Sequence, residues 1–288
     1  MDSPRTPELI LHPANGLNLA VWHWPGAGPP LLFAHATGYH GRIWDRIVAG
    51  LPAHHALSIE ARGHGRSAKP APPYRWPAFG EDLAALAETL DLRDAIGIGH
   101  SMGGYAVALA ASLRPRTFRA LLLVDPTIFP PSHYGEAPPD AAFTLRRRAA
   151  WQSPAEMYER FHRRAPFANW KPGILSDYCN YALLPAAGAL ALACPPEVEA
   201  SIYEQSNAAG ADIHSHVARL TQPAVVLRAD TPRVPGSFNL GASPTDPQLA
   251  SSMPRGRDVV LAGHSHYIPM ECPERVVEEI EALDRLTA

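Results

Sequence analysis

Long apolar runs and cysteine pairs are what this chain of 288 residues most clearly lacks. No segment has 18 uninterrupted apolar residues, and the first residues show no apolar core of a signal peptide. Three widely spaced cysteines without a C-x-x-C pair argue against a disulfide framework or a zinc site (Cys179, Cys194 and Cys272). We therefore predict a cytoplasmic protein with reduced thiols and no membrane segment.

The sequence also has no large excess of positive or negative charge. The formal net charge is −3 with 18% charged residues, so the sequence carries no electrostatic footprint for nucleic acid or an anionic membrane. Its one dense basic run, Arg146-Arg147-Arg148, is interpreted as the solvated face of a helix. The 14 histidines include no H-E-x-x-H or comparable ligand spacing, which argues against a metal site. The expected partner is a small molecule, and the oligomeric state stays open.

Apolar strands alternate with helices along most of the chain. Strands are predicted over 8–12 and 18–24, joined by a turn at Asn15-Gly16, and over 30–35, 56–60, 95–98, 119–125, 224–229 and 258–262. Helices are predicted over 43–51, 78–90 and 273–286. Because several strands are unbroken apolar runs, the pattern predicts an α/β fold with a mostly parallel sheet that helices cover on both faces.

The alternation stops between residues 126 and 221. No strand is predicted there, and helical patterns cover 141–151, 154–164, 174–183, 197–205 and 213–220, separated by proline and glycine. We therefore predict two parts, an α/β core formed by 1–125 and 222–288 and a helical cap formed by 126–221. Since this cap is inserted directly after a strand end, we expect it to cover the site that the strand ends create.

The most informative stretch is Gly99-His100-Ser101-Met102-Gly103, which lies between a predicted strand and an apolar helical pattern. A G-x-S-x-G sequence in this position is a nucleophile elbow, a sharp turn that lifts the serine side chain clear of the sheet edge. A Cβ atom at Gly99 or Gly103 would collide as strand and helix approach each other. Ser101 is therefore the predicted nucleophile, and it needs a base, an orienting carboxylate and oxyanion donors.

Three further motifs accompany this one. In chain order the four are His35-Ala36-Thr37-Gly38, 62–67 (R-G-H-G-R-S), 99–104 (G-H-S-M-G-G) and 266–273 (H-Y-I-P-M-E-C-P). In this order they resemble the α/β-hydrolase superfamily, and more closely its capped serine esterase branch, which is epoxide-hydrolase-like and haloperoxidase-like. The resemblance covers nearly the whole chain outside 126–221. It implies an α/β-hydrolase fold in which the catalytic triad follows the order serine, acid, histidine.

The resemblance also implies the oxyanion hole and the base. By their positions in the family's motifs, the backbone N–H groups of Thr37 and Met102 are the oxyanion donors. Two histidines compete for the role of base. His264 follows a glycine, as is usual in the family, but His266 has the family's offsets to an aromatic residue and to an E-x-P sequence. We therefore favour His266.

The orienting acid is the triad member that the sequence identifies least clearly. The family usually places it after the penultimate strand, at the position that Pro232 occupies in this chain. Asp230 comes two residues earlier, and Asp246 would need a long loop to fold back. A variant of the family carries the acid after the preceding strand, where this chain has Asp125. We favour Asp125, with Asp230 as the alternative.

With serine as the nucleophile, the resemblance implies a carboxylesterase that forms an acyl-enzyme. It implies no metal and no organic cofactor. C–C bond hydrolysis and perhydrolysis are alternatives on the same triad, and a small-molecule receptor without hydrolytic activity is the alternative from another class. No arginine or lysine clamp for a charged substrate is apparent near a motif, so an ester of small-to-medium apolar acids or alcohols is expected. Aromatic residues of the predicted cap suggest an apolar roof: Phe129, Tyr134, Phe143, Trp151, Tyr158, Phe161, Phe167, Trp170, Tyr178 and Tyr181.

Overall fold

The structure, a computed structural model, describes residues 5–186, 188–231 and 239–287. Its strands are β1 (Glu8–Ala14), β2 (Leu17–Trp24), β3 (Gly28–Ala34), β4 (His54–Ile59), β5 (Ala95–His100), β6 (Phe118–Val124), β7 (Ala150–Trp151), β8 (Leu183–Ala186), β9 (Ala189–Leu192), β10 (Ala224–Ala229) and β11 (Gly256–Leu261). Its helices are α1 (Asp45–Ala49), α2 (Pro77–Thr89), α3 (Met102–Leu113), α4 (Ala142–Leu145), α5 (Pro154–Phe161), α6 (Pro172–Tyr181), α7 (Pro196–Glu204), α8 (His214–Val217), α9 (Ile268–Glu271) and α10 (Pro273–Thr287). None of these described helices combines the length and apolarity needed to cross a membrane.

Within the described residues, eight strands form the central sheet in the order β1-β2-β4-β3-β5-β6-β10-β11. β2 pairs antiparallel with β1 and β4, whereas the remaining neighbours pair parallel. The central strand β5 is buried along its whole length, as a parallel strand covered on both faces must be. The predicted α/β fold with a mostly parallel sheet is therefore confirmed.

Two layers of helices bury the sheet. α2 and α3 pack on one face, where Leu83 and Val107 join the core, and α1 and α10 pack on the other, where Ile47 and Ile280 do so. Parallel strands end at the same edge of a sheet, so the loops that follow β3, β5, β6, β10 and β11 meet at that edge. Thr37, Ser101, Asp125 and His266 lie in these loops.

The long connection between β6 and β10 is not wholly helical. β7, β9 and β8 form a separate antiparallel sheet, in which Leu183 lies opposite Leu192 and Ala150 opposite Ala191. The prediction that 126–221 contains no strand was therefore wrong, and the helix predicted over 141–151 is shortened to α4. These strands are only two to four residues long and rich in alanine, which strands disfavour, so strand pairing rather than local propensity stabilises them.

The close approach of α3 to the sheet gives a stability prediction. A Cβ atom at Gly103 would lie 2.1 Å from the carbonyl oxygen of Ala34, a backbone atom in β3. Gly103→Ala should therefore lower the free energy of unfolding by about 2 kcal/mol or more, the scale of overpacking in a core. The matched control is Gly210→Ala, because a Cβ there meets nothing within 4 Å. Urea unfolding should leave the control near the wild-type midpoint, and equal midpoints for both variants would contradict the prediction.

Candidate active site

Ser101 lies at the sharp turn between β5 and α3. Its backbone has a positive φ of 56° and a ψ of −120°, a conformation that is strained for a residue with a side chain and is expected at a nucleophile elbow. Glycine at position 99 makes the turn possible, because a Cβ there would come within 2.2 Å of the Gly103 carbonyl oxygen. Ser101 is buried apart from the surface that it contributes to a cavity at the carboxyl edge of the sheet.

Thr127 holds Ser101 through two contacts that the sequence did not reveal. The hydroxyl groups of the two residues share a hydrogen bond of 3.0 Å, and the Thr127 backbone N–H donates to the Ser101 carbonyl oxygen at 3.1 Å. Among the hydrogen bonds of the described residues, none joins Ser101 to His266, although both side chains line the same cavity. Hydrogen bonds of this kind often tighten only in the reacting complex.

His266 and Asp125 are brought together at this edge. The Nδ1–H of His266 donates to Asp125 Oδ2 at 2.6 Å, and the carboxylate is fully buried. The other carboxylate oxygen, Oδ1, accepts from the Ala229 backbone N–H at 3.1 Å and from the Ser243 hydroxyl at 2.6 Å. Because Nδ1 is used in this contact, the Nε2 atom of His266 is the ring nitrogen available as an acceptor.

The competing residues lie elsewhere. Asp230 is exposed and accepts a hydrogen bond from the Gly263 backbone N–H, and the ring of His264 bonds to the Ala262 carbonyl oxygen. Asp246 accepts from the Gln248 backbone N–H. Within the part of the chain that the structure describes, neither carboxylate contacts His266. The position of Pro232 lies outside the described residues.

The loop that carries His266 is fixed from both sides. The carboxylate of Glu271 accepts from the backbone N–H and the hydroxyl of Ser265, which gives the E-x-P spacing a structural role. The His266 N–H donates to the Gly241 carbonyl oxygen, and the His100 ring bonds to the His266 carbonyl oxygen at 2.8 Å. Burial holds the pKa of His100 well below its usual value, so this ring stays neutral and donates through Nε2–H.

The predicted oxyanion donors face each other, since Thr37 lies in the loop after β3 and Met102 at the start of α3. The Thr37 hydroxyl donates to the Met102 sulfur at 3.4 Å, which holds the loop after β3 against the start of α3. Met102 is the first residue of α3, so its backbone N–H has no acceptor within the helix. His35 anchors the loop, because one ring nitrogen bonds to the Ala36 carbonyl oxygen and the other accepts from the Ala61 N–H. Burial lowers the pKa of His35 to about 4, which fits this neutral role.

A cavity of about 1130 Å³ opens above these residues. Its floor includes Thr37, Ser101 and His266, and most of its wall comes from the insertion 126–221. Six of the ten predicted roof residues line it: Phe129, Phe143, Trp151, Phe161, Phe167 and Tyr178. Nowhere in the described ranges do three or more His, Cys, Asp or Glu side chains converge in a way that could hold a metal ion.

Arg147 is a polar residue of this wall whose role sequence reasoning missed. The basic run was interpreted as the solvated face of a helix, but Arg146, Arg147 and Arg148 follow α4, which ends at Leu145, and all three line the cavity. Arg146 and Arg148 are exposed, whereas Arg147 is partly buried. Its guanidinium forms an ion pair with Glu199 and donates to the Tyr178 hydroxyl at 3.2 Å. No local signal could have shown this, because both partners lie far along the chain.

The fold and the site together define a class of protein. An α/β sheet carries a serine on a nucleophile elbow, and a histidine from a later loop bonds to a buried carboxylate at the same edge. Residues 31–279 match the profile of the alpha/beta hydrolase family, so the chain belongs to that family and has its fold. The predicted resemblance is confirmed, since non-heme haloperoxidase and epoxide hydrolase relatives also fit the branch named from the motifs.

Individual relatives have low sequence identity to this chain or match only part of it. The chain is 24% identical over 261 residues to 2-(acetamidomethylene)succinate hydrolase from Mesorhizobium japonicum, a match covering 88% of this chain and 87% of that protein. It is 37% identical over 98 residues to non-heme chloroperoxidase from Streptomyces lividans, which covers 33% of this chain and only 36% of that protein. The crystal structure of E-2-(acetamidomethylene)succinate hydrolase aligns with a TM-score of 0.74 at 20% identity, over 96% of this chain and 100% of the other. At such identity the structural likeness shows the fold alone.

The carboxylate contact of His266 gives a kinetic prediction. Asp125→Asn should lower kcat for hydrolysis by about 10³- to 10⁴-fold, because an amide cannot hold the imidazole in the tautomer that leaves Nε2 free. Asp230→Asn is the matched control and should stay within about threefold of the wild type, since Asp230 bonds to the Gly263 backbone and not to His266. Steady-state kinetics on both folded variants decides between the two acids, and the reverse pattern would transfer the role to Asp230.

Proposed function

We propose that the protein is a serine hydrolase of carboxylic esters, with Ser101 as nucleophile, His266 as base and Asp125 as the orienting acid. The observation that carries this proposal is the 2.6 Å hydrogen bond between His266 and the buried Asp125, made beside a cavity that Ser101 also lines. A buried carboxylate that fixes the tautomer of a histidine next to a strained serine is what base-assisted attack by a hydroxyl requires.

The reaction proceeds in two acyl transfers. Ser101 Oγ turns from Thr127 towards His266 and attacks the ester carbonyl carbon, while His266 Nε2 takes the hydroxyl proton. The oxyanion that forms accepts hydrogen bonds from the Thr37 and Met102 N–H groups. His266 then gives its proton to the alcohol oxygen as the C–O bond breaks. Water next attacks the acyl-enzyme by the same route and releases the acid.

The insertion 126–221 acts in this proposal as a cap that selects the substrate. Its aromatic side chains in the cavity wall support the expectation of a small-to-medium ester with apolar parts, and Arg147 adds a polar element. The partner is therefore a small-molecule ester, and no cofactor enters the reaction. A cytoplasmic location is part of the same proposal.

C–C bond hydrolysis and perhydrolysis use the same triad and remain candidates. A relative that is similar to this chain over most of its length is named 2-(acetamidomethylene)succinate hydrolase and not esterase. Similarity to proteins named non-heme chloroperoxidase and non-heme haloperoxidase favours the inclusion of hydrogen peroxide as an acceptor in the assays. Each alternative keeps Ser101 and His266 in the same roles and differs in the bond that is cleaved or in the final acceptor.

Replacement of the nucleophile tests the proposal. Ser101→Ala should keep the fold and lower kcat for p-nitrophenyl acetate by at least about 10³-fold, the scale of a lost triad member. Ser251→Ala is the matched control, because that exposed hydroxyl only bonds to Gln248. Circular dichroism checks that both variants are folded.

The results of these assays distinguish the esterase from the alternative functions. Undiminished turnover by folded Ser101→Ala protein would contradict the role of Ser101. Cleavage of a β-diketone or formation of a peracid, without ester turnover, would replace the ester substrate and keep the triad. A folded wild-type protein that is inactive in all these assays would favour the receptor.

A further inference from the structure

Positive charge is concentrated in the wall of the active-site cavity. Arginine side chains from one stretch of the insertion line it: Arg146, Arg147, Arg148, Arg160 and Arg164. Among the described lining residues, the acidic groups are fewer: Glu136, Asp140 and Glu199. Since the whole chain has a net charge of −3, this excess of cations is local to the cavity. A cavity with walls of one sign attracts ligands of the opposite sign.

Arg147 lies beside the loop that carries the oxyanion donor Thr37. A Cβ atom built on Gly38 would lie 3.4 Å from Arg147 Nη1, and Gly38 directly follows the oxyanion donor Thr37. The guanidinium is held in place by Glu199 and by the Tyr178 hydroxyl. Its five N–H groups outnumber these two contacts, so donors remain for a ligand in the cavity. Because the side chain is already ordered, little conformational entropy is lost when it binds.

Three tyrosine side chains share the wall with Arg147. The cavity is lined by Tyr39, Tyr203 and Tyr267. All three are close enough to Arg147 for its positive charge to act on the pKa of the phenol. A phenol is protonated at neutral pH, and burial raises the pKa of each of these three still further, so each keeps an O–H group that can donate. This part of the cavity is therefore rich in hydrogen-bond donors.

An apolar substrate is a poor partner for such a wall. Covering donors without giving them an acceptor costs about 1–3 kcal/mol for each group left unsatisfied. A carboxylate supplies two oxygens with several acceptor positions and fits the planar fork of an arginine. Glu199 pairs with Arg147, and Glu156 pairs with Arg148. Arg146, Arg160 and Arg164 still exceed the remaining lining acids, Glu136 and Asp140, so the balance of the wall stays positive.

We propose that Arg147, together with Tyr39, Tyr203 and Tyr267, forms a subsite for a carboxylate of the substrate. The substrate class is then an ester whose acid part carries a free carboxylate a few bonds from the scissile carbonyl, such as a half-ester of a short dicarboxylic acid. This refines the apolar substrate that the sequence predicted, and it rests on the proposed ester hydrolysis. The exposed Arg160 and Arg164 contribute to the field that draws the anion in.

Two esters of nearly the same shape test the subsite. Monoethyl succinate carries a carboxylate where ethyl 4-oxopentanoate carries an acetyl group, and acid release at pH 7 gives kcat/KM for both. Each value is divided by the rate of hydroxide-catalysed hydrolysis of the same ester. The wild type should prefer the half-ester by about 10- to 100-fold, the scale of one charge-assisted contact.

Variants of the Arg147–Glu199 ion pair test whether the positive charge of Arg147 causes the preference for the half-ester. Glu199→Gln keeps an acceptor for Arg147 but removes the negative charge, so the preference for the half-ester should rise severalfold, mainly through a lower KM. The double variant Arg147→Met with Glu199→Gln leaves no unpaired buried charge, and the preference should fall by about 10- to 100-fold. Arg93→Met is the control, because Arg93 is exposed, bonds to Asp91 and should leave the preference unchanged.

The outcomes separate the subsite from the proposed function. Hydrolysis of both esters without a preference, or a preference that survives the double variant, overturns the subsite and keeps the esterase. If both ethyl esters react too slowly, their inhibition constants against p-nitrophenyl acetate should show the same ratios, and equal constants overturn the subsite. Inactivity on every ester, together with failure of an organophosphonate to label Ser101, overturns the proposed function itself.

Discussion

The hydrogen bond between His266 and Asp125 is the contact on which the arrangement of the site depends. β10 lies between the strands that carry the two residues, so the loop with His266 must pass over the end of β10 to reach the carboxylate. Ala229 at the end of β10 and Ser243 in the following loop donate to the same carboxylate. A buried carboxylate needs such donors, because an unpaired charge in the interior is costly. The Asp125 side chain therefore connects three other segments of the chain: the His266 loop, the end of β10 and the loop that contains Ser243.

Two residues at the same edge of the sheet have strained backbone conformations. Ser101 and Asp125 follow the neighbouring strands β5 and β6, and each has a positive φ, of 56° and 41° respectively. Such conformations cost about 1–3 kcal/mol each and persist only where the surrounding structure holds them. Gly99 and Gly103 permit the turn at Ser101, and the hydrogen bond from the Asp125 N–H to the Leu227 carbonyl oxygen holds the other. Stability of the sheet thus supports the geometry that hydrolysis requires.

Local motifs were sufficient to predict the fold, and they named most of the residues that the structure brings together at the candidate site. The nucleophile elbow is a strand, a turn and a helix within a few residues, so Ser101 could be placed from Gly99 and Gly103 alone. The choice between Asp125 and Asp230 was harder, because both follow strands at the same edge and only the path of the later loops distinguishes them. The structure puts Asp125 beside His266 and leaves Asp230 exposed.

The insertion was much harder to predict. Arg147 and Glu199 are separated by 52 positions, and neither belongs to a motif. β8 and β9 carry little strand propensity, and the sheet that they form with β7 depends on pairing between distant segments. Contacts of this kind are set by tertiary packing, which a single sequence does not display.

Covalent labelling of the nucleophile tests the central claim most directly. An alkyl fluorophosphonate should give one adduct, mapped to Ser101 by peptide mass spectrometry, in the wild type and in His264→Ala. In folded His266→Ala protein the labelling rate should fall by about 10³-fold, since the base that activates the hydroxyl is gone. An adduct on a different residue, or loss of labelling in His264→Ala with normal labelling in His266→Ala, would contradict the account.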